Sequence, residues 1–169
     1  TTNTTGVQNS AVGKDALKVN VDGGNNSAFG YQALDANTSA SNNSAFGSGA
    51  LDANTTGSNN TAVGFEALNS NTTAGGNVAM GYQALYDANR TVDGSAFNVA
   101  IGYLAGNTGT NDITTGDQNV LIGYNTAASV LTASNQIVIG AGASGTANNA
   151  ISLGNTSIGS IKGQVAFST

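Results

Sequence analysis

"NNSAFGYQALDANTSAS" (residues 25–41) is followed without a break by "NNSAFGSGALDANTTGS" (42–58) and "NNTAVGFEALNSNTTAG" (59–75). Near-copies at a fixed period signal stacked units, each contacting mainly its neighbours. A motif N-x-A-φ-G, or a close variant, ends every copy on a glycine: Gly13, Gly30, Gly47, Gly64, Gly81, Gly102, Gly123, Gly140 and Gly154. The steps between them are 17, 17, 17, 17, 21, 21, 17 and 14 residues. Such periods are too short for paired helices. Gly, Asn and β-branched residues suit turns and strands instead. The expected fold is all-β: a parallel solenoid of nine coils, each with two short strands, about 40 Å long at a rise of about 4.8 Å per coil.

Side chains alternate across a strand, so the first and third residues before each glycine share a face. These pairs run from Ser27/Phe29 and Ser44/Phe46 through Val78/Met80 to Ile137/Ile139 and Ile151/Leu153, and they grow more apolar towards the C-terminus. The larger residues are expected inside the coil. The other face would then be a strip of Ala28, Gly30, Ala45, Gly47, Ala62, Gly64, Ala79 and Gly81, small enough for another backbone to approach closely. That strip is expected to be the axis where identical chains meet. It ends at Leu121 and Val138, where the coils should meet differently. An Ala-Leu pair follows most glycines (Ala16-Leu17, Ala33-Leu34, Ala50-Leu51, Ala67-Leu68, Ala84-Leu85) and should close the coil from the other wall. It decays in the last four coils.

The motif Asn recurs at 9, 26, 43, 60, 77, 98 and 119. Two readings fit equally: an amide ladder running up the stack, or an Asx turn within each coil.

Composition narrows the chemistry. Charged residues make up 8% of the 169, against about 25% in ordinary domains. With 39% apolar residues, the chain is not of the charged, weakly hydrophobic type that stays disordered. It has no His, Cys, Pro or Trp, which removes the commonest general base, thiol nucleophiles, disulfides and structural zinc sites. Carboxylate pairs are the only catalytic machinery left, and nothing places two in a cleft, so no enzyme and no cofactor are expected. A net charge of −5 with four cations argues against nucleic acid and anionic membranes. No apolar run approaches a membrane span of about 20 residues. Opening on "TTNTT" without Met, the chain reads as a fragment or a processed piece.

"SNQIVIGAGAS" and "NNAISLGNTS", with the 14-residue step between their glycines, resemble head repeats of trimeric autotransporter adhesins. The resemblance implies a left-handed parallel β-roll with three chains side by side. The "NNTAVGFEAL" units are similar to repeats of bacteriophage tail fibres and related viral fibre proteins. "ISLGNTSIGSIKGQVAFST" is similar to the stretch preceding a self-cleaving intramolecular chaperone, which in those fibres trimerises the shaft and then cuts itself off. An end at Thr169 fits such cleavage and equally an unrelated boundary. The expected organisation is a β-roll over 1–154 and a short extended segment over 155–169.

Two long excursions, 86–97 and 106–118, are candidate receptor loops. They carry Arg90, Asp93, Asp112 and Asp117. A second candidate is the aromatic column one residue past the glycine: Tyr31, Phe65, Tyr82, Tyr103 and Tyr124, with Ser48 as a gap. It would stack either sugar rings or its own members. "DAN" at 35–37, 52–54 and 87–89 favours Asx turns over calcium, which needs six or more oxygens.

The expectation is therefore a homotrimeric fibre segment of a viral or phage tail fibre, on the virion or otherwise extracellular, displaying loops to a host glycan or protein receptor. One chain alone should not offset an ordering entropy of about 1–2 kcal/mol per residue. The alternatives are a bacterial adhesin head of the same fold and a monomeric ice-binding solenoid, the latter suggested by Thr55-Thr56, Thr72-Thr73 and Thr114-Thr115.

Overall fold

The computed structural model describes residues 3–88, 96–109 and 112–158. Nine three-residue strands form one parallel sheet in chain order: β1 (Ser10–Val12), β2 (Ser27–Phe29), β3 (Ser44–Phe46), β4 (Thr61–Val63), β5 (Val78–Met80), β6 (Val99–Ile101), β7 (Val120–Ile122), β8 (Ile137–Ile139) and β9 (Ile151–Leu153). The register follows the glycine column through every change of period. Val78 pairs with Val99 across a 21-residue step, and Ile137 pairs with Ile151 across a 14-residue one. The fold is a parallel β-solenoid of about eight turns, with no helix among the described residues.

Each coil contains one strand, not the two expected. The Ala-Leu half-unit is a chain of turns. Within it Gln32 (φ 54°) and Leu34 (φ 54°) are left-handed, as are Leu51, Leu68 and Leu85. A bulky residue rarely adopts this conformation. Burial and stacking hold it here, because Leu34 is fully buried and its N–H donates to the Ala50 carbonyl at 3.1 Å.

The expected inside and outside of the strand are reversed. Ala28, Ala45, Ala62, Ala79 and Ala100 are fully buried inside the coil, whereas Phe29, Phe46, Met80 and Ile101 face out. The lumen is narrow, and the Leu34–Leu85 column already fills it from the opposite wall. Only a methyl fits across from it. Further along, the large residue changes walls. Gly106 and Ala127 take the leucine place, and Leu121 and Val138 replace the strand alanines, with Leu85 Cδ2 from the coil before and Leu121 Cδ1 from the coil after in the space a Gly106 side chain would need. The decay of the Ala-Leu pair is thus a swap of partners within one unchanged strand ladder. Ile113, from the second excursion, is also fully buried in this core.

Two asparagine columns tie the coils together. In the motif column, Asn26 Nδ2 donates to the Ala40 carbonyl at 2.8 Å, and Asn26 Oδ1 accepts the Asn43 N–H at 3.0 Å. The second column joins amide to amide: Asn37 Nδ2 donates to Asn20 Oδ1 at 2.7 Å and Asn71 Nδ2 to Asn54 Oδ1 at 2.9 Å. The same Asn37 amide also closes its own turn on the Ala40 carbonyl at 3.1 Å. In the motif column the side chains thus bond mainly the backbone of the next coil, with one amide-to-amide bond, Asn119 Nδ2 to Asn98 Oδ1 at 3.0 Å. Ladder and turn are combined in the second column, which the motif did not single out. The "DAN" asparagines Asn37 and Asn54 belong to this second column.

Candidate interaction surface

The outward strand face is the largest chemically uniform feature of the molecule. Its third-position column is Val12, Phe29, Phe46, Val63, Met80, Ile101, Ile122, Ile139 and Leu153. Most of these side chains are exposed. The first-position column beside it is Ser27, Ser44 and Thr61 in the N-terminal coils, then Val78, Val99, Val120, Ile137 and Ile151. No strand carries a charge. Phe29 and Phe46 stack at 5.0 Å between centroids, nearly parallel.

The aromatic column lies one residue beyond the motif glycine. Phe65, Tyr82, Tyr103 and Tyr124 form a continuous stack with centroid spacings of 5.4, 5.0 and 5.4 Å and planes within 12°. Inside such a stack each ring covers its neighbours' faces, so Tyr82 and Tyr103 offer edges, not faces, to a sugar. Tyr31 stands apart from the stack because Ser48 occupies the coil between it and Phe65. The Lys14 ammonium lies 5.7 Å from the Tyr31 ring centre, a cation–π contact.

The strip expected to form a trimer axis is corrected by its burial. Ala28, Ala45, Ala62 and Ala79 are fully buried inside their own coil. The glycines of that strip do meet another backbone closely, but it is the next coil of the same chain. A Cβ on Gly30 (φ 147°) would lie 2.4 Å from the Gly47 carbonyl oxygen, and one on Gly47 lies as close to Gly64.

The loop candidates separate. Arg90 and Asp93 lie outside the described residues. The Asp112 carboxylate accepts the N–H groups of Thr108 and Gly109, the latter at 2.7 Å, and so holds its own loop. Asp117 accepts the Ser134 hydroxyl at 2.5 Å across to the next coil. The described pair are thus structural bonds, not a prepared charge cluster. Near Ser48 stand three other acids. Asp52 has its pKa raised by burial first, then by the like charges of Asp35 and Glu66.

Phe97 escaped the sequence reading. It is 59% exposed, with φ 52°, in a turn column otherwise made of Gln8, Asn25, Asn42, Asn59, Gly76, Gln118, Asn135 and Asn149. Its ring covers Gly76, where a Cβ would lie 2.5 Å from Phe97 Cδ1. The replacement of the usual Asn-Asn pair by Phe97-Asn98 was the available signal. Comparison with family models, with curated proteins and with solved structures finds no match to this chain.

Proposed function

We propose that this chain is the repeat segment of a homotrimeric viral or phage tail fibre, whose work is structural display and attachment to a host surface. The observation that carries the reading is the uncharged outward face, apolar at the third position of all nine strands and at both outward positions from β5 onward. From strand geometry that face measures about 40 Å by about 10 Å in plan, on the order of 400 Å². That is the size of the largest apolar patch on a typical monomer, which is often functional. Cyclic closure of three copies removes the face from water while leaving the turn columns outside for contact with a receptor. The trimer axis then runs along the Phe29–Leu153 column, in place of the Ala/Gly strip. A left-handed winding accompanies this reading by resemblance.

A bacterial adhesin head shares this assembly and differs in what anchors it. The ice-binding reading loses support from the threonines: Thr38 and Thr55 hydroxyls donate to carbonyls of the next coil at 3.1 and 3.0 Å, not to a flat outer array. The test is solution mass by light scattering, with mixed-mass labelling to follow subunit exchange. A non-exchanging trimer is expected. A folded monomer at micromolar concentration would overturn the proposal.

A further inference from the structure

We propose that the break in the aromatic column at Ser48 is a binding slot for one planar aromatic cation. The rings of the column stack at 5.0–5.4 Å, so each coil contributes one ring thickness. Tyr31 and Phe65 occupy the same column two coils apart. The bonds from the Gly49 N–H to the Tyr31 carbonyl and from the Glu66 N–H to the Ser48 carbonyl, both 2.9 Å, fix Ser48 between them. At the coil rise, the two rings are about 10 Å apart, which is two stacking distances. Serine fills little of that interval, so the column lacks one ring where a planar guest completes the stack.

The next residue sharpens the site. The column beside the aromatics reads Gln32, Gly49, Glu66 and Gln83. Gly49, left-handed at φ 68°, adds no side chain to the same coil, and Glu66 Cγ and Asn69 Nδ2 approach the space it leaves. Glu66 thus borders the gap with its Cγ, while its carboxylate accepts the Gln83 amide of the following coil at 2.7 Å. Asp35 and Asp52 follow in the coils of Tyr31 and Ser48, and one oxygen of Asp35 is buried without a hydrogen-bond partner. Two aromatic faces and a carboxylate edge select a flat, positively charged ring: stacking supplies the fit and the acids supply the sign. The lower face of Tyr31 is already paired with the Lys14 ammonium, so the same preference for cations is visible one step down.

The probe is thioflavin T, a planar benzothiazolium cation, titrated by fluorescence against the folded chain. Expected are one site per chain, loss of at least tenfold in affinity in Ser48→Tyr, which supplies the missing ring, and retention in Ser48→Ala, which keeps the gap. Asp52→Asn with Glu66→Gln should weaken the cation several-fold and leave a neutral planar dye unchanged. Tyr124, whose upper face meets Ala141 and not a ring, is the competing position. Ala141→Tyr covers it and should not alter the high-affinity site. A melting temperature for Ser48→Tyr at or above that of the parent shows that the variant is folded. No saturable binding, or binding indifferent to Ser48→Tyr, would overturn the slot. The result does not depend on the oligomeric state.

Discussion

The side-chain oxygen of Asn43 accepts the backbone N–H of Asn60, one coil further along, at 2.9 Å, while its amide donates to the Gly57 carbonyl at the same distance. Both residues are fully buried. One side chain thus satisfies two backbone groups that turn away from the strand ladder, and Asn is the residue whose length and donor–acceptor pair allow it. Asn43→Ala should leave the Asn60 N–H unpaired in a dry interior, whereas the Gly57 carbonyl keeps the Asn54 amide at 3.0 Å. Urea denaturation should show a loss of about 1–3 kcal/mol. Asn9→Ala, at the half-buried first coil, should cost less. Equal losses at the two positions would refute the ladder argument.

The glycine column makes a sharper demand. On Gly47 a Cβ would lie 2.2 Å from the Gly64 carbonyl oxygen and 2.6 Å from its carbon, and φ is 143°. The obstacle is backbone and cannot rotate away. Gly47→Ala should therefore abolish folding or cost several kcal/mol. Gly109, also left-handed at φ 82°, has nothing within 4 Å. There Ala should cost only the conformational strain, about 1 kcal/mol. Circular dichroism melts of the two variants settle the comparison.

Thr126 sits in the column occupied elsewhere by Ala33, Ala50, Ala67, Ala84, Ala105 and Ala143. It is fully buried, and its hydroxyl has no hydrogen-bond partner. Thr126→Val keeps the shape and removes the unpaired group. Stability should rise by about 1 kcal/mol or more, which is a few degrees in Tm for a chain of this length. A lower Tm would mean that the hydroxyl has a partner in solution.

Asp52 links stability to pH in an unusual direction. Its pKa is raised in the folded chain by burial and by Asp35 and Glu66. The folded state therefore holds its proton more tightly than the unfolded state, whose carboxyl titrates near 3.9. This contribution is present below the unfolded value and is lost as pH rises through the folded one. Asp52→Asn should raise Tm at neutral pH and narrow its advantage on acidification towards pH 4. An Asn variant less stable at pH 7 would reverse the assignment.

If the outward face is the trimer contact, its composition sets a gradient. Ile137 and Ile139 lie together in β8, whereas Ser10 dilutes Val12 in β1. Ile139→Lys should dissociate the assembly at higher protein concentration than Val12→Lys, as read by sedimentation.

The strand register was legible because pairing partners sit at corresponding places in a literal repeat. Ala11, Ala28 and Ala45 announce one another through spacing alone. Which face points inward was not legible from the strand. Alternation distinguishes two faces without naming them, and the rule that bulk goes inside fails where the lumen is one side chain wide. The information was in the turn: five Ala-Leu pairs supply the bulk, so their partners must be small. The shift from Leu85 to Gly106 and from Ala100 to Leu121 is the same rule in mirror image. The second asparagine column was in view as A-L-x-x-N, closing on Asn20, Asn37, Asn54 and Asn71, but reading "DAN" as isolated turns concealed the bonds that join one coil to the next. Of the sites, the aromatic column was legible as a column. That its inner faces are mutually covered required the 5.0–5.4 Å spacings.

Strands held in register through steps of 17, 21 and 14 residues make the length of this molecule a quantised variable. Unequal recombination between neighbouring copies inserts or removes a whole coil and leaves both junctions native. Excision of residues 43–59, for instance, rejoins Asn42 to Asn60 as it is now joined to Asn43, and shortens the rod by about 4.8 Å. The same excision brings Phe65 into the place of Ser48, directly over Tyr31, and erases the one irregularity in the aromatic column. Reach and surface pattern thus change together in single steps, so a lineage can lengthen or shorten the rod without reinventing its core.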